Sequence, residues 1–175
     1  MRKLFSALLI ACFCVPSFSL AAPPILIGLE TPPYPTGYED MGGGMFFNEH
    51  PNNHAYNHLC YGQMITPAPH LTPRCKGQDV VVLQRFVERR GRKAYFKVID
   101  EVRLPVIPSN REVLSIPLCS SASHKNDTVL AIGRWENVKD GYTSKDISHA
   151  WRFNLQAGKT EPISTHDVVC EGDAP

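Results

Sequence analysis

Apolar and polar residues alternate through much of the second half of this chain. From Ala94 to Leu104, Phe96, Val98 and Val102 fall on one side and Lys97, Glu101 and Arg103 on the other. A period of two with β-branched residues marks a half-buried strand. Asp79 to Glu88 is Val-rich and apolar on both faces at its start, which suits a central, buried strand. Arg89 to Lys93, with Gly91 at its centre, reads as the hairpin loop between these two. Pro105 and Pro108 end the second strand. Glu112 to Leu118 and Thr128 to Val138 are the next candidates, followed by a turn at Asp140-Gly141. In Ser148 to Leu155, Trp151, Phe153 and Leu155 alternate with Arg152, Asn154 and Gln156. Ala157-Gly158 turns the chain into Thr160 to Ser164, and Val168-Val169 leads to Cys170. No window of a dozen residues carries a 3.6-residue apolar stripe. The pattern predicts an all-β, mainly antiparallel fold: a small sheet, sandwich or barrel.

Residues 22–75 read differently. They hold nine of the fourteen prolines that follow residue 21, and the runs Pro32-Pro33-Tyr34-Pro35 and Gly42-Gly43-Gly44 interrupt any ladder. Ile25 to Leu29 is the one short strand expected there. The expected organisation is therefore an irregular Pro/Gly/His-rich arm at 22–75 and an antiparallel β domain at 76–175.

Residues 1–21 change the arithmetic. Arg2 and Lys3 precede an apolar run from Leu4 to Val15, and Ser19-Leu20-Ala21 supplies small residues for cleavage after Ala21. This is the layout of a secretory signal peptide, and the run falls short of the ~20 residues that span a bilayer. Leu9-Ile10-Ala11-Cys12 has the form of a lipoprotein processing box, but the apolar run continues past Cys12. The expectation is a mature chain of 154 residues, exported to a periplasm or secreted, with no transmembrane segment. Its 16 basic and 17 acidic residues give a net charge of −1. That balance gives no reason to expect a nucleic-acid partner.

Four cysteines remain after residue 21: Cys60, Cys75, Cys119 and Cys170. In an exported chain they read as two disulfides, and no Cys-x-x-Cys points to metal or redox chemistry. Of the three possible pairings, sequence proximity and the strand layout favour Cys60–Cys75 and Cys119–Cys170.

Three groups of residues are candidates for chemistry. His50, His54 and His58 recur every four residues, and one helix face would bring such imidazoles to a shared zinc or copper ion. Pro51-Asn52-Asn53 opposes a continuous helix through His50, so His54 and His58 would share a turn and His50 would reach them from a loop. Arg89, Arg90, Arg92 and Lys93 crowd the predicted hairpin tip, where they would dock an acidic partner or an anionic surface. Trp135, Tyr142 and Trp151 read as packing aromatics, since Trp151 shares its apolar face with Phe153 and Leu155. The catalytic signatures Gly-x-Ser-x-Gly and His-Glu-x-x-His are missing from the sequence. His149 and His166 with Asp146 and Asp167 remain as a possible general base and its orienter.

These features favour a binding protein over an enzyme. The partner would be another envelope or extracellular protein, in the manner of an inhibitor, immunity or accessory factor. An envelope metal-binding protein using the three histidines is the alternative, and an extracellular hydrolase is a second. A pocket lined by histidine and carboxylate would favour the hydrolase.

Overall fold

A computed structural model describes residues 22–46, 54–66, 73–114, 119–125, 127–138, 141–144 and 146–173. The signal-peptide expectation and His50 lie outside the described residues. Among the described residues, thirteen strands run in chain order: β1 (Glu30–Thr31), β2 (Tyr38–Met45), β3 (His54–Ile65), β4 (Arg74–Arg90), β5 (Lys93–Arg103), β6 (Glu112–Leu114), β7 (Cys119–Ser121), β8 (Thr128–Gly133), β9 (Glu136–Val138), β10 (Gly141–Ser144), β11 (His149–Asn154), β12 (Lys159–Ile163) and β13 (Val168–Asp173). One 3₁₀ turn, Ala122–His124, interrupts them. Every pairing is antiparallel. The strands form three sheets in the orders β1-β5-β4-β3-β2, β12-β11-β8-β6 and β7-β13-β10-β9.

Alternation along two strands explains how the sheets stack. In β4, Val81 and Leu83 face the second sheet, where they meet Leu130 and Ile132 of β8 and Trp151 and Phe153 of β11. The opposite face of β8 sends Val129 and Ala131 to the third sheet, against Val168, Cys119 and Cys170. The second sheet is therefore buried on both sides. Asp100, itself buried, ties the first two sheets by accepting from Thr160 N at 2.6 Å and Lys159 Nζ at 3.3 Å. The arrangement is sandwich-like, as the periodicity predicts.

Both disulfides form in the favoured pairing, Cys60–Cys75 and Cys119–Cys170. Their loops span 15 and 51 residues. In the chain-entropy account these constrain the unfolded chain by about 3 and about 4 kcal/mol.

Four local expectations are corrected. Ile25–Leu29 is not a strand: Gly28 has φ +90° and Leu29 N donates to Leu26 O, closing a turn. Backbone bonds to Val98 of β5 start at Gly28 and Leu29, and the strand register with β5 starts at Glu30. The segment expected to be irregular carries β2 and β3. Gly43 belongs there because a β-carbon would stand 2.2 Å from Tyr56 O of the paired strand. Its missing side chain permits the ladder that its flexibility seemed to forbid. Thr128 to Val138 is two strands, because the chain leaves the second sheet for the third at Gly133. That glycine is packed against Ile147, Leu114 and Ser144, each 2.8 Å from a built β-carbon. The hairpin loop is shorter than expected, with only Gly91 and Arg92 between β4 and β5.

The N-terminal segment also builds core. Leu26 is fully buried with Leu59, Val80, Val82 and Val98 on the outer face of the first sheet, and Tyr34 and Tyr38 pack beside them. Gln84 Nε2 donates to Thr31 Oγ1 at 2.6 Å and Tyr34 OH at 2.9 Å, and Leu26 N donates to Glu101 Oε2 at 2.6 Å. Burial pushes the Tyr34 phenol above its ordinary value.

Candidate functional site

The β4–β5 hairpin outruns its neighbours. Pairing with β3 ends at His54–Arg85, and pairing with β1 ends at Thr31–Phe96. Among the described residues, 86–95 thus extend as a two-stranded ribbon. An edge-to-face contact between Phe86 and Phe96, with centroids 5.8 Å apart, stiffens its base. A bulge between Phe86 and Glu88 leaves Val87 exposed.

Charge on this ribbon is unevenly neutralised. Arg90 is held by Glu30 at 2.9 Å and by Glu88, and its guanidinium lies 4.4 Å over the Tyr95 ring. Arg89, Arg92, Lys93 and Lys97 have no carboxylate within salt-bridge distance among the described residues. Elsewhere Arg103, Arg111, Arg134, Arg152 and Lys159 are all paired. Residues 74–103 carry nine basic and four acidic side chains, whereas the rest of 22–175 carries seven basic and thirteen acidic. Of the four tip cations expected to act together, Arg90 is thus committed to Glu88 and Tyr95 of the ribbon and to Glu30 of β1. Lys97 joins the unpaired set. It lies outside the basic run of the sequence, at the base of the ribbon, where it pairs in the ladder with Arg85 and Glu30.

The structure does not bring His54 and His58 to one point. Both lie on β3, where four residues span roughly 13 Å. His54 is buried and accepts from Arg85 Nε at 3.4 Å, and His58 Nε2 lies 2.8 Å from Asp79 Oδ1. The helical turn that would converge the two rings is replaced by extended chain. No group of three His, Cys, Asp or Glu residues is placed to hold a metal ion among the described residues.

His58 and Asp79 instead border a cleft made by a bent hairpin. In a flat ladder Cys60 stands opposite Asp79 and Cys75 opposite Met64, roughly 13 Å apart along the strands. Their Cα atoms are 5.3 Å apart, so the β3–β4 hairpin folds back between them. The facing pair Gly62–Gly77 sits at the fold. A β-carbon on Gly77 would stand 2.1 Å from Tyr61 O, and one on Gly62 would stand 2.6 Å from Lys76 O with φ at +139°. The fold brings Arg74 and Cys75 over His58 and Asp79. Pro105 to Pro108 and Arg111 to Val113 form the facing wall, enclosing about 430 Å³. A sequence signal for this site exists in the matched spacings Cys60-x-Gly62 and Cys75-x-Gly77.

A histidine bonded to a carboxylate is the pairing a general base uses. The described lining residues offer it no hydroxyl, and the Cys75 sulfur is in a disulfide. The sequence did not single out this pair, and the residues it did suggest, His149 and His166 with Asp146 and Asp167, form no histidine–carboxylate bond among the described residues. Asp146 is bound to Arg111 at 2.9 Å, and Asp167 accepts from Ser123 N at 2.7 Å. His149 stacks on Trp151, with centroids 5.9 Å apart. Trp151 is core, and Trp135 packs against the second cluster and edge-on to Tyr142. No family model, curated protein or solved structure matches this chain.

Proposed function

We propose that the protein is an exported module that binds another protein of the envelope or extracellular space, as an inhibitor, immunity factor or accessory subunit. Its β4–β5 ribbon docks on an acidic surface of that partner. The observation carrying this reading is the clustering of charge: Arg103, Arg111, Arg134, Arg152 and Lys159 are paired, whereas Arg89, Arg92 and Lys93 on the projecting ribbon, and Lys97 at its base, have no carboxylate partner among the described residues. Opposed charge patches raise association rates and fix orientation, and salt screens them. A ribbon closed by a two-residue turn, with an aromatic pair at its base, presents those charges with little ordering cost.

The test uses chain 22–175 carrying a photo-crosslinker at Arg92 or, as a control, at exposed Lys125. One discrete protein adduct from Arg92, absent from Lys125, is expected in extracts of the source organism. With that partner purified, Arg89→Glu/Arg92→Glu should slow association about tenfold at low salt and flatten its salt dependence. An association rate unchanged at every salt concentration removes the ribbon from the interface.

A further inference from the structure

We propose that the cleft beneath the folded β3–β4 hairpin captures the carboxylate end of an N-acylated apolar amino acid, the chemistry of a peptide C-terminus. Its charges balance internally except for one. Asp79 is bonded to His58, Arg111 holds Asp146 through both its carbonyl and its carboxylate, and Glu112 is engaged within the protein. Arg74 is exposed and has no partner among the described residues. A guanidinium binds a carboxylate with two parallel hydrogen bonds. A neutral His58 that gives its Nε2–H to Asp79 keeps Nδ1 as an acceptor, and no protein donor reaches that ring nitrogen among the described residues. Nδ1 therefore suits an amide N–H. The opposite wall is Pro105-Val106-Ile107-Pro108, and Val106 is 94% exposed. It offers an apolar side chain a surface that is otherwise left to water. Carboxylate, adjacent N–H and apolar side chain together describe one terminal residue. The cleft volume of about 430 Å³ lies in the range of small-ligand sites. The disulfide and the glycine pair hold the site's shape before the ligand arrives, which lowers the ordering cost of binding.

The probe is a set of fluorescein-labelled hexapeptides ending in leucine, valine, phenylalanine or alanine, each as free acid and as amide, titrated into chain 22–175 by fluorescence anisotropy. At least one apolar acid should bind about tenfold more tightly than its amide. Arg74→Gln should abolish that difference, and Val106→Asp should weaken both forms. Both side chains are exposed, so neither change threatens the core. N-acetyl-leucine competing as tightly as the peptide would place a free acyl amino acid in the site rather than a chain end. Equal binding of acid and amide, no binding across the set, or discrimination that survives Arg74→Gln overturns the proposal. Arg89→Glu/Arg92→Glu should leave peptide affinity unchanged, so this site and the ribbon interface fail or stand separately.

Discussion

A β-carbon at Gly77 would stand 2.1 Å from the Tyr61 carbonyl oxygen, and backbone on both strands of the fold would have to move to admit it. Gly77→Ala should therefore cost about 2–4 kcal/mol, read as a lower urea midpoint. Gly91→Asn is the control. Gly91 has φ +63° with nothing within 4 Å of a built β-carbon, and asparagine tolerates that conformation, so the midpoint should barely move. Glu161 makes a second residue-scale prediction. Hydrogen bonds from Arg152 hold its carboxyl below the usual range against partial desolvation, and Asn154 adds another. A carboxylate whose folded value is depressed contributes stability above its unfolded value, about 4.3, and loses it as pH falls through the folded one. Urea midpoints should thus fall between about pH 5 and about pH 3, and less steeply in Glu161→Gln. Identical slopes would mean that Arg152 gives the carboxylate nothing in the folded state.

At the scale of elements, the N-terminal segment is the instructive case. Its prolines and glycines read as an arm, yet Leu26 completes a cluster with Leu59, Val80, Val82 and Val98. Leu26→Ala should cost about 2–4 kcal/mol, as a buried leucine does. A midpoint within error of the parent would make the segment a surface appendage. The same logic separates the strands that were legible from those that were not. β4, β5 and β11 follow the alternation of their own side chains. β2 depends on β3 lying close enough to demand glycine at Gly43, a fact about two segments that neither pattern contains. The break between β8 and β9 likewise depends on what packs over Gly133.

At the scale of the whole molecule, the net charge of −1 over residues 22–175 hides two opposed regions. One hairpin carries nine basic side chains against four acidic, and the remainder reverses the balance. Chain 22–175 should be retained on a cation exchanger at about pH 8 despite its net charge, and Arg89→Glu/Arg92→Glu/Lys93→Glu should flow through. Equal elution would show that the ribbon is not presented as an isolated patch. Sequence by itself determined the all-β class and the basic tip, because each depends on local periodicity or composition, and it favoured the disulfide pairing that the structure then fixed. Tertiary structure decided the rest. It placed the second sheet between the other two, drew the N-terminal segment into the core, separated His54 from His58 along a strand, and folded Arg74 over the His58–Asp79 pair. Each of those outcomes depends on which distant segments touch, and long-range contact is what a one-dimensional pattern does not encode.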